Sequence, residues 1–122
     1  NNDPVASGVG EIIPCNEFYD YTAKYFDDDK SVLIIPAELS ESKTQEIREA
    51  AVKAYKSLDC SGMARVDFLL DKETEKVYIN ELNTIPGFTR ISMYPKLWDA
   101  AGLSYGKLID RLIELAIERY NE

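Results

Sequence analysis

The sequence has no histidine and only two cysteines among its 122 residues. Without imidazole, zinc sites of the usual kind and histidine acid–base catalysis are excluded. Cys15 and Cys60 are too few for a disulfide framework. Both lie near apolar residues, which reads as two reduced, packed thiols in a cytosolic protein. No apolar run reaches the roughly 18 residues of a transmembrane helix. No basic stretch leads into an apolar one, as a signal peptide requires. Positive charge is also scarce: 14 Lys and Arg stand against 22 Asp and Glu, a net charge of −8. Such a chain does not bind nucleic acid or an anionic membrane non-specifically. A phosphate ligand would need cations, or another part of the protein, to supply positive charge. The first residue is not Met; Asn1-Asn2-Asp3-Pro4 looks like the middle of a loop. A fragment or processed form is expected.

What is present suits one folded domain. Hydrophobic residues make up 45% and charged residues 30%, enough apolar surface for one core. Val9 to Cys15 reads as a short strand with Pro14 at its end or on an edge. Asn16 to Phe26 holds five aromatics and keeps neither period, so a loop or short irregular helix is expected. Asp27 to Lys30 is a charged loop tip. Val32 to Ile35 is a brief apolar run, a strand or part of a long loop. Ser40 to Asp59 is predicted helical, with Ser40 as N-cap and Glu41 in the first turn. Its apolar positions Ile47, Ala50, Ala51, Ala54, Tyr55 and Leu58 follow the helical period, and Gly62 takes the chain out of it. Tyr94 to Ala101 is a short helix ended by Gly102. Ser104 caps a last helix to about Tyr120, whose buried stripe is Leu108, Ile109, Leu112, Ile113, Leu115 and Ala116. The order predicts an α+β fold with a mainly antiparallel sheet and flanking helices.

The chemistry concentrates in Ala64 to Ser92. Met63 to Leu70 is strand-like, with Ala64, Val66, Phe68 and Leu70 on one face and Arg65, Asp67 and Leu69 on the other. Asp71 to Lys76 is a polar turn. Val77 to Asn83 is a second strand, with Val77, Ile79, Glu81 and Asn83 on one face. A symmetric hairpin centred on Thr74 sets Asp67 opposite Glu81 and Arg65 opposite Asn83. Cross-strand Cβ atoms lie about 4.5–5.5 Å apart, so two ionised carboxylates repel unless one is protonated or a cation sits between them. With the Asn83 oxygen they form a hard-cation set suited to Mg²⁺ or Mn²⁺. The other reading is a solvated sheet face in which Arg65 bridges Asp67 and Glu81. Pro86-Gly87 marks a turn in the following loop, and Gly87 allows close approach of the backbone to a ligand. Ser92 and the Met93 N–H, at a helix start, suit a carboxylate or phosphate; Ser92 as a simple helix cap is the plainer choice.

Three stretches carry a family resemblance: FYDYTAKY (Phe18 to Tyr25), ARVDF (Ala64 to Phe68) and NELNTIPGFTRISMYP (Asn80 to Pro95). Together, and in this order, they resemble the C-terminal part of a D-alanine–D-alanine ligase, a member of the ATP-grasp superfamily. The likeness runs along nearly the whole chain. It implies the C-terminal half of an ATP-grasp domain over residues 1–122. The N-terminal substrate domain and the preceding ATP-grasp half are not in this sequence. The implied reaction is ATP-dependent ligation of two D-alanines through an acyl phosphate, for peptidoglycan precursor synthesis in the cytoplasm. Asp67, Glu81 and Asn83 match the ligands of two magnesium ions. Arg65 and the Gly87 N–H match the groups that stabilise the tetrahedral intermediate. Ser92 and Met93 match the grip on the second substrate's carboxylate. Lys24 matches a lysine reaching the ATP phosphates, and Phe18 and Leu69 match positions near the adenine. Tyr25 matches a tyrosine of the mobile loop and favours D-alanine over D-lactate as second substrate.

The same resemblance implies that the chain alone is inactive, its partner being the missing N-terminal part of the polypeptide. The surface where that part docks is expected to favour self-association, a homodimer included. Two other readings stand beside this one. One is a different ATP-grasp ligase, such as one joining D-alanine to D-lactate. The other is a non-enzymatic acidic module whose hairpin binds a cation or a partner protein.

Overall fold

The computed structural model describes residues 1–14 and 31–122. The expectations placed on 15–30, among them Cys15, Phe18, Lys24 and Tyr25, fall outside the described residues. In chain order the elements are β1 (Glu11–Pro14), β2 (Ser31–Ile34), α1 (Glu41–Ser57), β3 (Arg65–Leu70), β4 (Val77–Asn83), α2 (Met93–Ala100) and α3 (Tyr105–Tyr120). The strands pair antiparallel, as expected, in two separate two-stranded ladders, β1 with β2 and β3 with β4. The brief run around Val32 is thus a strand. No helix among the described residues is long and apolar enough to cross a membrane.

α1 starts where the capping pattern placed it. Ser40 has extended backbone angles and its hydroxyl accepts the Lys43 N–H at 3.1 Å, a cap whose loss costs about 1 kcal/mol. The chain leaves α1 through Asp59 and Gly62, both at positive φ. Ile47 and Tyr55 are buried on its inner face, whereas Leu58 at the C-cap is 65% exposed, contrary to the periodic reading. The helix has ended there, so the period no longer applies. α1 packs on β3 and β4. Lys43 also reaches the β3–β4 turn, its ammonium donating to the Glu75 carbonyl at 2.7 Å.

α2 packs against α3, and its inner face closes on the segment leading into β1. A Cβ added at Gly10 would lie 2.9 Å from Leu97 Cδ2 and 3.2 Å from both Ile35 Cγ1 and Met93 Sδ. Gly10 therefore permits the close approach that holds the start of α2. The last helix departs from expectation. Of its proposed stripe only Leu108 is buried, while Ile109 and Ile113 are exposed. The helix is amphipathic, but α2 covers only part of its apolar face. Ser104 occupies the N-cap position of α3 without a side-chain hydrogen bond.

Candidate active site

Local sequence explains why β3 and β4 form a hairpin. In the turn, the Asp71 carboxylate accepts the N–H groups of Glu73 at 2.8 Å and Thr74 at 3.2 Å. These bonds hold the Asp71 carboxyl below its ordinary value of 3.8. The Glu75 N–H returns to the Asp71 carbonyl at 2.8 Å, with Glu75 at φ +59°. From this turn the register runs Leu70–Val77, Leu69–Tyr78 and Phe68–Ile79, then shifts by one residue to Asp67–Glu81 and Arg65–Asn83.

The expected pairs at the chemical end of the hairpin therefore form, but the turn end is offset. The extra residue is Asn80, a one-residue bulge. It corrects the face assignment: Val77 and Ile79 oppose the Phe68 side, and no longer share a face with Glu81 and Asn83. Tyr78 instead joins Leu69 beside Asp67. Leu69 is 61% and Tyr78 51% exposed, an open apolar extension of the acidic face. Strict alternation along VYINELN hid Tyr78, and nothing in that run marks Asn80 as a bulge.

Arg65 occupies the centre of the acidic face. Its Nε donates to Asp67 Oδ1 at 2.8 Å and its Nη2 to Oδ2 at 3.0 Å, a bidentate pair. Glu81 Oε1 lies 3.6 Å from the same Nη2. The Asp67 hydrogen bond holds the guanidinium protonated above its ordinary range; partial burial opposes this, and the charges of Asp67 and Glu81 reinforce it. These groups are half-open to solvent, with side-chain exposures of 28% for Arg65, 32% for Asp67 and 58% for Glu81. The pairing thus contributes orientation more than stability. Two carboxylates against one guanidinium leave one uncompensated negative charge. Each carboxylate retains acceptor positions beyond those Arg65 uses.

Asn83 hands the chain from the hairpin to the loop, its Oδ1 accepting the Ile85 N–H at 2.9 Å. One lone pair of that oxygen remains. The donor set Asp67, Glu81 and Asn83 is all oxygen, partly open and net acidic, and so suits a hard divalent cation. Among the described residues no group of three or more acidic, cysteine or histidine side chains converges. A cation held here would keep most of its coordination for other oxygens.

The loop after Asn83 is anchored by aromatic packing. Phe88 lies 5.4 Å from the Tyr105 ring and 6.0 Å from Tyr94, centroid to centroid. The Tyr105 hydroxyl donates to the Phe88 carbonyl at 2.6 Å, and the Arg90 guanidinium lies 5.9 Å from the Tyr105 ring centre. Ser92 takes the N-cap position of α2 with extended angles, but its hydroxyl does not cap the helix. It faces Thr89 instead, accepting the Thr89 N–H at 3.0 Å and lying 2.7 Å from Thr89 Oγ1. The plain capping role is thereby excluded. Gly87 borders the same hydroxyl: a Cβ there would sit 3.1 Å from Ser92 Oγ. The Met93 side chain turns inward to Gly10, leaving its backbone as the part at the helix start. Gly87, Ser92 and Met93 thus belong to one loop-and-helix junction, and Arg65, Asp67, Glu81 and Asn83 to one strand block.

Comparison with known proteins extends this geometry. A family profile described as D-ala D-ala ligase C-terminus matches residues 1–114. The D-alanine–D-alanine ligase of Thermoanaerobacter sp. strain X514 is 62% identical over 122 residues, covering all of this chain and 34% of the relative. The chain spans about a third of the length of the curated relatives it matches. Among solved structures, the D-alanine–D-alanine ligase of Coxiella burnetii aligns with a TM-score of 0.72 and 53% identity, over 75% of this chain and 26% of that one. The VanG D-Ala:D-Ser ligase of Enterococcus faecalis gives 0.75 and 41%, over 89% and 31%. The ATP complex of the Bacillus anthracis D-alanine–D-alanine ligase gives 0.68 and 37%, over 75% and 31%. With an α+β fold of antiparallel ladders and flanking helices that these ATP-grasp enzymes share, the chain belongs to the D-alanine–D-alanine ligase family and corresponds to its C-terminal region.

Proposed function

We propose that this chain is the C-terminal ATP-grasp subdomain of a longer enzyme that joins two D-alanines at the expense of ATP, for peptidoglycan precursor synthesis in the cytoplasm. The observation that carries the reading is the register, which sets Asp67 against Glu81 and Arg65 against Asn83, in a chain that matches the family profile over residues 1–114. ATP as co-substrate is supported by the relative solved with ATP.

In this reading Asp67, Glu81 and Asn83 hold two Mg²⁺ or Mn²⁺ ions, which when bound neutralise phosphate charge and reconcile the acidic chain with a nucleotide. Arg65, oriented by its fork on Asp67, presents its remaining N–H donors to the oxyanion that develops when the second D-alanine amine attacks the acyl phosphate of the first. The Gly87 N–H is the second donor. Ser92 and the Met93 N–H grip the carboxylate of the second D-alanine. Leu69, with Phe18, borders the adenine. Lys24 reaches the nucleotide phosphates, and Tyr25 helps to close the site and favours D-alanine as acceptor.

The chain matches about a third of the length of its relatives; the remaining two thirds of such a ligase would supply the other wall, so the 122-residue chain alone should not turn over. The test is phosphate release and dipeptide formation by the full-length ligase carrying this segment, either its own or the Thermoanaerobacter relative with the matching third replaced. D-alanine, D-serine and D-lactate are offered as acceptors. D-Alanyl-D-alanine as the main product supports the proposal; turnover by the isolated chain contradicts the division of labour. D-Serine as acceptor is the second reading, favoured by the likeness to the VanG enzyme.

A further inference from the structure

The hydrogen bonds around Ser92 carry one step more. A serine hydroxyl has one proton and two acceptor positions. The Thr89 N–H fills one acceptor position at 3.0 Å. Thr89 Oγ1, at 2.7 Å, is placed either to fill the second or to take the Ser92 proton. The Ser92 N–H is spent on the Thr89 carbonyl at 3.0 Å, and the helix start makes no claim on the hydroxyl. The Phe88–Thr89 peptide group that supplies this N–H is held at its other end, where its carbonyl accepts the Tyr105 hydroxyl at 2.6 Å.

We propose that Thr89 is a positioning residue for the acceptor substrate: its N–H and Oγ1–H together occupy both acceptor positions of Ser92, so that the Ser92 proton is directed outward to a carboxylate. A carboxylate accepts only, and it therefore selects the arrangement in which Thr89 donates to Ser92 and Ser92 donates to the ligand. Each bond in that chain polarises the next. Thr89 itself need not touch the substrate. The inference rests on the reading of Ser92 as the acceptor-carboxylate grip.

The experiment measures Michaelis constants for ATP and for the first and second D-alanine in the full-length ligase carrying this segment. Thr89→Val should raise the constant for the second D-alanine roughly 3- to 10-fold, the weight of one hydrogen bond, and leave the other two unchanged. Thr89→Ser, which keeps the hydroxyl, should restore it. In a Ser92→Ala background Thr89→Val should cost nothing further. If Ser92→Ala weakens the second D-alanine and Thr89→Val does not, the role of Thr89 is overturned while that of Ser92 stands. If Ser92→Ala changes nothing, the reading of Ser92 fails and this inference with it. A Thr89→Val effect spread equally over all three constants, or one that Thr89→Ser does not rescue, identifies a merely structural role and overturns the proposal.

Discussion

Replacing Gly10 with Ala should loosen α2 and, through it, the acceptor side of the site. The added methyl would sit 2.9 Å from Leu97 Cδ2, 3.2 Å from Ile35 Cγ1 and 3.2 Å from Met93 Sδ. Carbon atoms in ordinary contact stay about 3.5–4.0 Å apart, so three side chains, two from α2 and one from the segment just after β2, must each retreat by several tenths of an ångström. Leu97 and Met93, the first residue of α2, can each turn a flexible side chain away, but both lie on the same face of α2 and must give together. Overpacking of this kind costs about 1–3 kcal/mol. In the full-length ligase carrying this segment, thermal unfolding should shift down by about 2–4 °C per kcal/mol. The second D-alanine should bind more weakly, while ATP is unaffected. Leu97→Ala removes the nearest atom, so Gly10→Ala in that background should cost clearly less than alone. An unchanged melting temperature would refute the packing argument, as would equal costs in both backgrounds.

Gly87→Ala brings a Cβ to 3.1 Å from Ser92 Oγ. It should displace that hydroxyl from Thr89 and raise the Michaelis constant of the second D-alanine several-fold, with that for ATP unchanged; steady-state kinetics checks it. The carboxyl of Asp71 has a lowered pKa in the fold because it accepts the Glu73 and Thr74 N–H groups. Its contribution to stability is therefore complete above the ordinary aspartate value and is lost as pH falls through the lowered one. The stability difference between the natural protein and Asp71→Ala should shrink below about pH 3.8, followed by chemical unfolding at several pH values. A difference that grows on acidification would contradict the assignment.

The sequence made the hairpin legible at its chemical end and less so at its turn. A turn centred on Thr74 pairs Asp67 with Glu81, and that pair forms, but only because the Asn80 bulge offsets a turn register that would otherwise set Asp67 against Asn80. The offset at Asn80 is a property of the β3–β4 pairing, which strict alternation along VYINELN does not report. Capping was readable at Ser40, where the hydroxyl has only the helix to bond. It was ambiguous at Ser92, where Thr89 competes for the same oxygen. The stripe on α3 was visible as a period, but periodicity reports which face is apolar and not what covers it. That depends on tertiary packing, and α2 reaches only as far as the Leu108 side. Gly10 was invisible as a contact, since its role is defined by Ile35, Met93 and Leu97, far along the chain.

Glu81 decides whether the Asp67–Glu81 face holds the metal ions of the ligase. Activity of Glu81→Gln in the full-length ligase carrying this segment should be measured across Mg²⁺ and Mn²⁺ concentrations. Gln keeps the size of the side chain, removes its charge, and breaks only a weak 3.6 Å approach to Arg65. Turnover should fall at least about 100-fold, with a higher metal requirement, because loss of a ligand weakens both binding and charge neutralisation. Unchanged activity with an unchanged metal dependence would contradict it, and would leave the acidic face as a solvated surface bridged by Arg65.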